Sequence, residues 1–150
     1  MEIKMSNQTD SDVYADAIAI RRAVFVKEQH IDEALEIDTV TPATWHYVGY
    51  DEQEKAVATA RVTPSDAITG HIQRVATLKS ARGHGYARQL LTKIAQDATK
   101  WGWQQLTLGA QVTAQSFYEQ LGYQPTGAPF MEAGLCHQTM TKVLTKPSKD

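Results

Sequence analysis

Residues 82–87 read Arg82-Gly83-His84-Gly85-Tyr86-Ala87. They join an apolar segment, His71-Ile72-Gln73-Arg74-Val75-Ala76-Thr77-Leu78, to a stretch in which Tyr86, Leu90, Leu91, Ile94 and Ala98 recur at helical spacing. A strand that enters a glycine-rich turn and leaves it as a helix is an α/β element. Glycines let backbone N–H groups come close to a phosphate, and the helix N-terminus adds its positive end. Arg82, and Arg88 one turn into the helix, supply charge. The spacing rejects two phosphate sites. A P-loop needs Gly-Lys-Ser/Thr entering the helix, whereas Gly85 is followed by Tyr86-Ala87. A dinucleotide fingerprint needs a third glycine where Arg88 stands, and a later carboxylate that Leu106-Thr107-Leu108-Gly109-Ala110-Gln111 lacks. A tight turn with no ligand is the competing reading, since glycine turns are common.

Working outward, Asp10 to about Lys27 is predicted helical: Asp10-Ser11-Asp12 offers caps, and Val13, Ala17, Ile20, Val24 and Phe25 follow at helical spacing. An acidic stretch with Glu33, Glu36 and Asp38 leads past Pro42. Trp45–Tyr50 and Ala56–Val62, separated by the polar turn Asp51-Glu52-Gln53-Glu54, read as an antiparallel hairpin. His71–Leu78 is the third strand. Beyond the long helix, Gly102 marks a stop and Leu106–Leu108 a short strand. Thr113–Leu121 reads as a short helix closed by Gly122, and His137–Leu144 as the last strand. The expected class is α/β (α+β), a mixed sheet with helices on its faces.

The 150 residues, with no linker or repeat, predict a single domain over 1–150, its tail Lys146–Asp150 frayed. A net charge of -2 argues against a nucleic-acid partner. No apolar run is long enough for a membrane, and Met1-Glu2-Ile3-Lys4 does not open a signal peptide, so a cytoplasmic location is expected. The lone Cys136 excludes an internal disulfide and a cysteine-clustered metal site, and no metal is expected.

The turn also satisfies the Arg/Gln-x-x-Gly-x-Gly/Ala pattern of acetyl-coenzyme A binders through Arg82, Gly85 and Ala87. Downstream lies Gln111-Val112-Thr113-Ala114-Gln115-Ser116-Phe117-Tyr118-Glu119-Gln120-Leu121-Gly122-Tyr123. Together, at this spacing, the two motifs resemble the GCN5-related N-acetyltransferase (GNAT) family over nearly the whole chain. Arg21–Gln29, Pro129–Gly134 and His137–Lys142 further resemble its bacterial ElaA-like subgroup. The resemblance implies a mostly antiparallel sheet splayed open beside the glycine turn, with acetyl-CoA as co-substrate in the gap. It implies that Val75 and Thr77 offer backbone groups to the pantetheine arm. Arg82, Gly83, His84, Gly85, Tyr86 and Ala87 would surround the pyrophosphate. Gln111, seven residues before Tyr118, stands where the family often has Asn.

The implied reaction is acetyl transfer to a primary amine, on a small molecule or a peptide, by direct attack in a ternary complex. The Val75 N–H is the oxyanion donor and Tyr118 the acid that meets the leaving thiolate. Many relatives carry a basic Glu on the central strand; Gln73 stands there and takes no proton. That motivates the alternative of a non-catalytic coenzyme A sensor. Of the remaining bases Glu28 ranks first, beside the helix that borders the acceptor cleft in the family, then His137, with His46 behind it and His71 also available. Against these stand plainer readings. Glu28 pairs with Arg21 or Arg22, His46 is a satisfied core histidine, and Glu28, Glu33, Glu36 and Asp38 form a solvated face. Cys136 reads as buried and structural, the three tryptophans as core or rim. A homodimer is the commonest assembly for such a chain.

Overall fold

The computed structural model describes residues 1–145. Its strands are β1 (Glu2–Ser6), β2 (Trp45–Tyr50), β3 (Ala56–Pro64), β4 (Thr69–Thr77), β5 (Gln105–Gln111), β6 (Gln124–Pro125), β7 (Phe130–Glu132) and β8 (Leu135–Val143). Its α-helices are α1 (Asp12–Arg21), the one-turn α2 (Glu33–Glu36), α3 (Tyr86–Lys100) and α4 (Gln115–Gln120). The strands form one open, mostly antiparallel sheet in the order β1-β2-β3-β4-β5-β8-β6, with β7 also on β8. The expected mixed class is thus observed.

Two compact units divide the chain. The first holds Met1–Thr63 and Arg74–Leu91. In it, Ser11 caps α1 by accepting from the Tyr14 N–H at 3.1 Å, with Asp12 in the positive first turn. After Arg21 the helix widens into π turns over Arg22–Glu28, shown by the Gln29 N–H reaching back to the Val24 carbonyl at 3.0 Å. The expected helix is therefore present, but its second half is not α-helical. Apolar spacing over so few turns does not separate the two ladders. Ala17, Ile20 and Val24 pack with Val48, Tyr50 and Ala76 into one core. The β2–β3 hairpin turns where expected: the Asp51 carboxylate accepts from the N–H groups of Gln53 and Lys55 at 2.9 and 3.0 Å. Strand β1, absent from the expected order, pairs antiparallel with β2 from Glu2↔Tyr50 to Ser6↔His46.

The second unit holds Pro64–Gln73 and the described chain from Thr92 onward. Here β4 and β5 run parallel, from Thr69↔Gln105 to Ile72↔Leu108, and β8 lies antiparallel to β5 from Gln105↔Val143 to Gln111↔His137. Ile94, Ala98, Leu106, Leu108 and Met140 are buried. Helix α4 stops at Gly122, whose φ of +95° suits glycine; Gly122 N–H bonds to the Glu119 carbonyl and Tyr123 N–H to that of Tyr118. The short β7, also outside the expected order, forms a hairpin with β8 from Phe130↔His137 to Glu132↔Leu135. Lys146–Asp150 lie outside the described residues.

Candidate active site

In the first unit β4 runs through Val75 and Thr77 into a short 3₁₀ turn, Lys79–Ala81, and then into the glycine turn. Gly83 and Gly85 have φ of +85° and +77°, left-handed values that a Cβ disfavours, and beyond the adjacent residues no described heavy atom lies within 4 Å of where either Cβ would stand. Helix α3 starts at Tyr86; its first backbone bond runs from the Gln89 N–H to the Gly85 carbonyl at 3.1 Å. The N–H groups of Tyr86 and Ala87 thus belong to the first turn, for which a helix supplies no carbonyl. Exposed glycine backbone followed by such donors is a cradle for an anion as large as a pyrophosphate.

Three hydrogen bonds hold Arg82 in place. Its Nε donates to the Thr77 carbonyl at 3.1 Å, and Nη1 and Nη2 donate to the two oxygens of Glu28 at 2.7 and 2.8 Å. Glu28 therefore pairs with Arg82, not with Arg21 or Arg22. The Arg82 hydrogen bonds hold the Glu28 carboxyl below the usual carboxylate range, against the opposing pull of desolvation. A carboxylate with both oxygens engaged and a lowered affinity for protons is a poor base.

The acidic stretch is a solvated face only in part: Glu33 is exposed and pairs with Arg22 at 2.9 Å, but Glu36 is buried and Asp38 half-buried. Glu36 is 3% exposed: one oxygen accepts from Arg21 Nε at 2.8 Å, and the other lies 3.0 Å from Arg74 Nε. Asp38 takes Nη1 and Nη2 of Arg61 in a fork at 2.8 and 2.7 Å. This fork keeps the Asp38 carboxyl at about 2. Three guanidiniums face two carboxylates. Beside them His46, opposite Arg61 across the β2–β3 ladder, is buried with its ring edge-on to Tyr14. Burial, with Arg21 and Arg61 nearby, lowers His46 to about 4, so it stays neutral and its Nε2 lacks a hydrogen-bond partner. Periodicity missed this cluster because Glu36 ends a helix of a single turn and Asp38 lies in the connection after it. The available signal was three arginines inside apolar elements: Arg21 in α1, Arg61 in β3 and Arg74 in β4, each of which needs an anion once buried. Arg74 carries a φ of 60°; the other non-glycine residues with positive φ, His30, Glu54 and Ala133, all lie outside strands. Such a backbone costs about 1–3 kcal/mol and persists only when its surroundings fix it.

In the second unit β5 ends at Gln111, directly opposite His137 on β8. His137 is 7% exposed and stacks on Phe130 with ring centroids 5.6 Å apart. Phe130 reaches over β5 because residue 109 is glycine; a Cβ there would stand 3.1 Å from the Phe130 ring. His137 Nδ1 lies 2.8 Å from the Leu135 carbonyl, which only accepts, so that nitrogen carries the proton. The lone pair of the neutral ring then falls on Nε2, which lies 3.9 Å from Glu132. This is the tautomer of a proton acceptor with an acid nearby to steady the charged form. Tyr118 is 8% exposed on α4, edge-on to Phe117 and Tyr123, and burial pushes its phenol up to about 12. Cys136 is exposed, not buried: it alternates with His137, which takes the inward face of β8. His71 hydrogen-bonds Thr107 at 2.8 Å, and Trp101 and Trp103 meet edge-on, Trp101 being 40% exposed. Among the described residues no group of three or more His, Cys, Asp or Glu is placed to hold a metal ion, and no helix is long and apolar enough to cross a membrane.

Comparison with known proteins fits this geometry. The family model described as an acetyltransferase (GNAT) domain matches residues 7–144. The chain belongs to the GNAT acetyltransferase family. It is 33% identical over 144 residues to YyaT of Bacillus subtilis (strain 168), which covers 92% of this chain and 93% of that protein. A crystal structure from Lactobacillus plantarum, assigned as an N-acetyltransferase, superposes with a TM-score of 0.88 at 36% identity, covering 96% and 98% of the two chains. Escherichia coli ElaA superposes with a TM-score of 0.82 at 29% identity, covering 94% and 98%. The chain is accordingly an acyl-CoA-dependent N-acetyltransferase with ElaA-like relatives.

Proposed function

We propose that this enzyme transfers an acetyl group from acetyl-CoA directly to a primary amine, of a small molecule or a peptide, within a ternary complex. The observation that carries the reading is the glycine turn, where two left-handed glycines open onto the first N–H groups of α3. Gly83, His84, Gly85, Tyr86 and Ala87 bind the pyrophosphate through backbone donors. Arg82 already spends its guanidinium on Glu28, and its part is to brace the turn against Thr77 and contribute positive charge. Val75 and Thr77 offer backbone groups to the pantetheine arm, and Gln111 adds a side-chain amide. Acetyl-CoA supplies the activated acyl thioester. The Val75 N–H stabilises charge developing on the acyl oxygen. His137 receives the amine proton at Nε2, and Glu132 supports the resulting imidazolium; this moves the base from Glu28, whose carboxylate Arg82 occupies. Tyr118 donates to the departing sulfur.

Calorimetry with coenzyme A tests the turn. Gly85→Val adds a side chain on the open side and resists a φ of +77°, so affinity should fall at least about tenfold while the melting curve confirms folding. Unchanged affinity would remove the pyrophosphate from this turn.

A further inference from the structure

We propose that Glu36 and Asp38 are positioning residues: by gripping the Arg74 guanidinium they hold the left-handed turn in β4 that aims the Val75 N–H at the acyl oxygen. The inference rests on the reading of that N–H as the oxyanion donor, and extends it to side chains with no other part in the reaction. Among the described residues Arg74 alone combines a positive φ with a place inside a strand. A strand residue sits near −120°, so a φ of 60° differs by about half a revolution at the residue before Val75. An arginine has no local reason to adopt it, since its Cβ favours the extended region.

The reason lies in what holds the side chain. Arg74 Nε forms an ion pair with Glu36 at 3.0 Å without a hydrogen bond; Nη2 is 3.6 Å from Asp38 and donates to the Leu35 carbonyl at 3.4 Å. Neither acid is loose. Arg21 holds the other oxygen of Glu36, and Arg61 forks onto Asp38. Beyond the turned residue the chain is fixed again: Ala76 packs with Ala17, Ile20 and Val24 from the first helical segment, and the Leu78 N–H donates to the Val57 carbonyl at 2.9 Å. Residue 74 is thus pinned by its side chain, and the strand after it by the core. Burying so many charges is a poor way to gain stability, because apolar residues of similar size serve as well or better. Their arrangement makes sense as a device that fixes one backbone geometry.

Arg74→Gly, Arg74→Ala and Arg74→Val separate geometry from stability. All three delete the same guanidinium, but glycine adopts a positive φ freely and a β-branched residue least readily. In the full-length enzyme kcat should follow Gly > Ala > Val, with glycine ahead of valine by about tenfold or more. Affinity for coenzyme A, measured by calorimetry, should vary far less. Glu36→Gln should lower kcat, and adding Arg74→Gly should bring it back to the level of Arg74→Gly alone, since glycine needs no grip. If Glu36→Gln does not fold, the Arg74 series decides. Equal kcat in folded Arg74→Gly and Arg74→Val overturns the proposal. A wild-type enzyme that transfers no acetyl group overturns the proposed function instead, so the two failures are distinct.

Discussion

In the proposed reaction Tyr118 and His137 serve opposite ends of the proton's path, and the surroundings of each suit that role. Burial keeps the Tyr118 phenol protonated through neutral pH, at about 12, which under the proposed function leaves it a hydrogen-bond donor for a developing thiolate. That interaction strengthens only as charge reaches the sulfur, which is what lowers a barrier. Tyr118→Phe keeps the ring packing against Phe117 and Tyr123 and deletes the hydroxyl. It should lower kcat by about 10²-fold, the lower end for a positioned proton donor, because a thiolate leaves readily. Affinity for coenzyme A should hold. His137→Asn on the same assay should lower kcat by a similar factor. Steady-state kinetics across pH checks both. An unchanged kcat in Tyr118→Phe would return Tyr118 to the core, and an unchanged kcat in His137→Asn would assign the base to water or to the amine.

At the scale of elements, legibility followed the strength of local signals. The β2–β3 hairpin, α3 and its Gly102 stop, and α4 with Gly122 were readable because apolar period and turn chemistry agree there. The Glu2–Ser6 strand alternates polar and apolar residues throughout, a period-two signal present at the start of the chain but left out of the expected order, whereas β7 has three residues, all exposed. So short a strand as β7 is specified by its pairing with β8, from Phe130↔His137 to Glu132↔Leu135, and not by its own pattern. The glycine turn was legible because its backbone demands are written in residue type. The Arg82–Glu28 pair was not, since it joins residues far apart in sequence. Nor was the tautomer of His137, which depends on the Leu135 carbonyl two residues away bending back to it. The acidic stretch misled for a similar reason: charge spacing reports solvation only when no buried cation claims the acids.

For the whole molecule, the buried charges set how stability answers to pH. His46 binds protons at about 4 when folded and near its usual 6.5 when unfolded. Below pH 6.5 the unfolded chain takes up a proton that the folded one refuses, so stability should fall as pH drops toward 4, by up to about 3 kcal/mol. Asp38 adds a second loss below its unfolded value of 3.8, as pH falls through about 2. Denaturant melts from pH 8 to 4 should show the first decline, and His46→Asn should flatten it. A flat wild-type profile would contradict the buried neutral histidine.

The central claim is that this GNAT-family chain turns over, passing acetyl from the thioester to an amine, and does not only bind coenzyme A as a sensor would. The most direct measurement is release of the coenzyme A thiol from acetyl-CoA, followed with a thiol reagent over a panel of small-molecule and peptide amines, with mass spectrometry of the acceptor. The account predicts that at least one amine gains an acetyl group in step with thiol release, and that Tyr118→Phe slows both equally. Tight binding of acetyl-CoA with no release above the amine-free rate for any acceptor would contradict it.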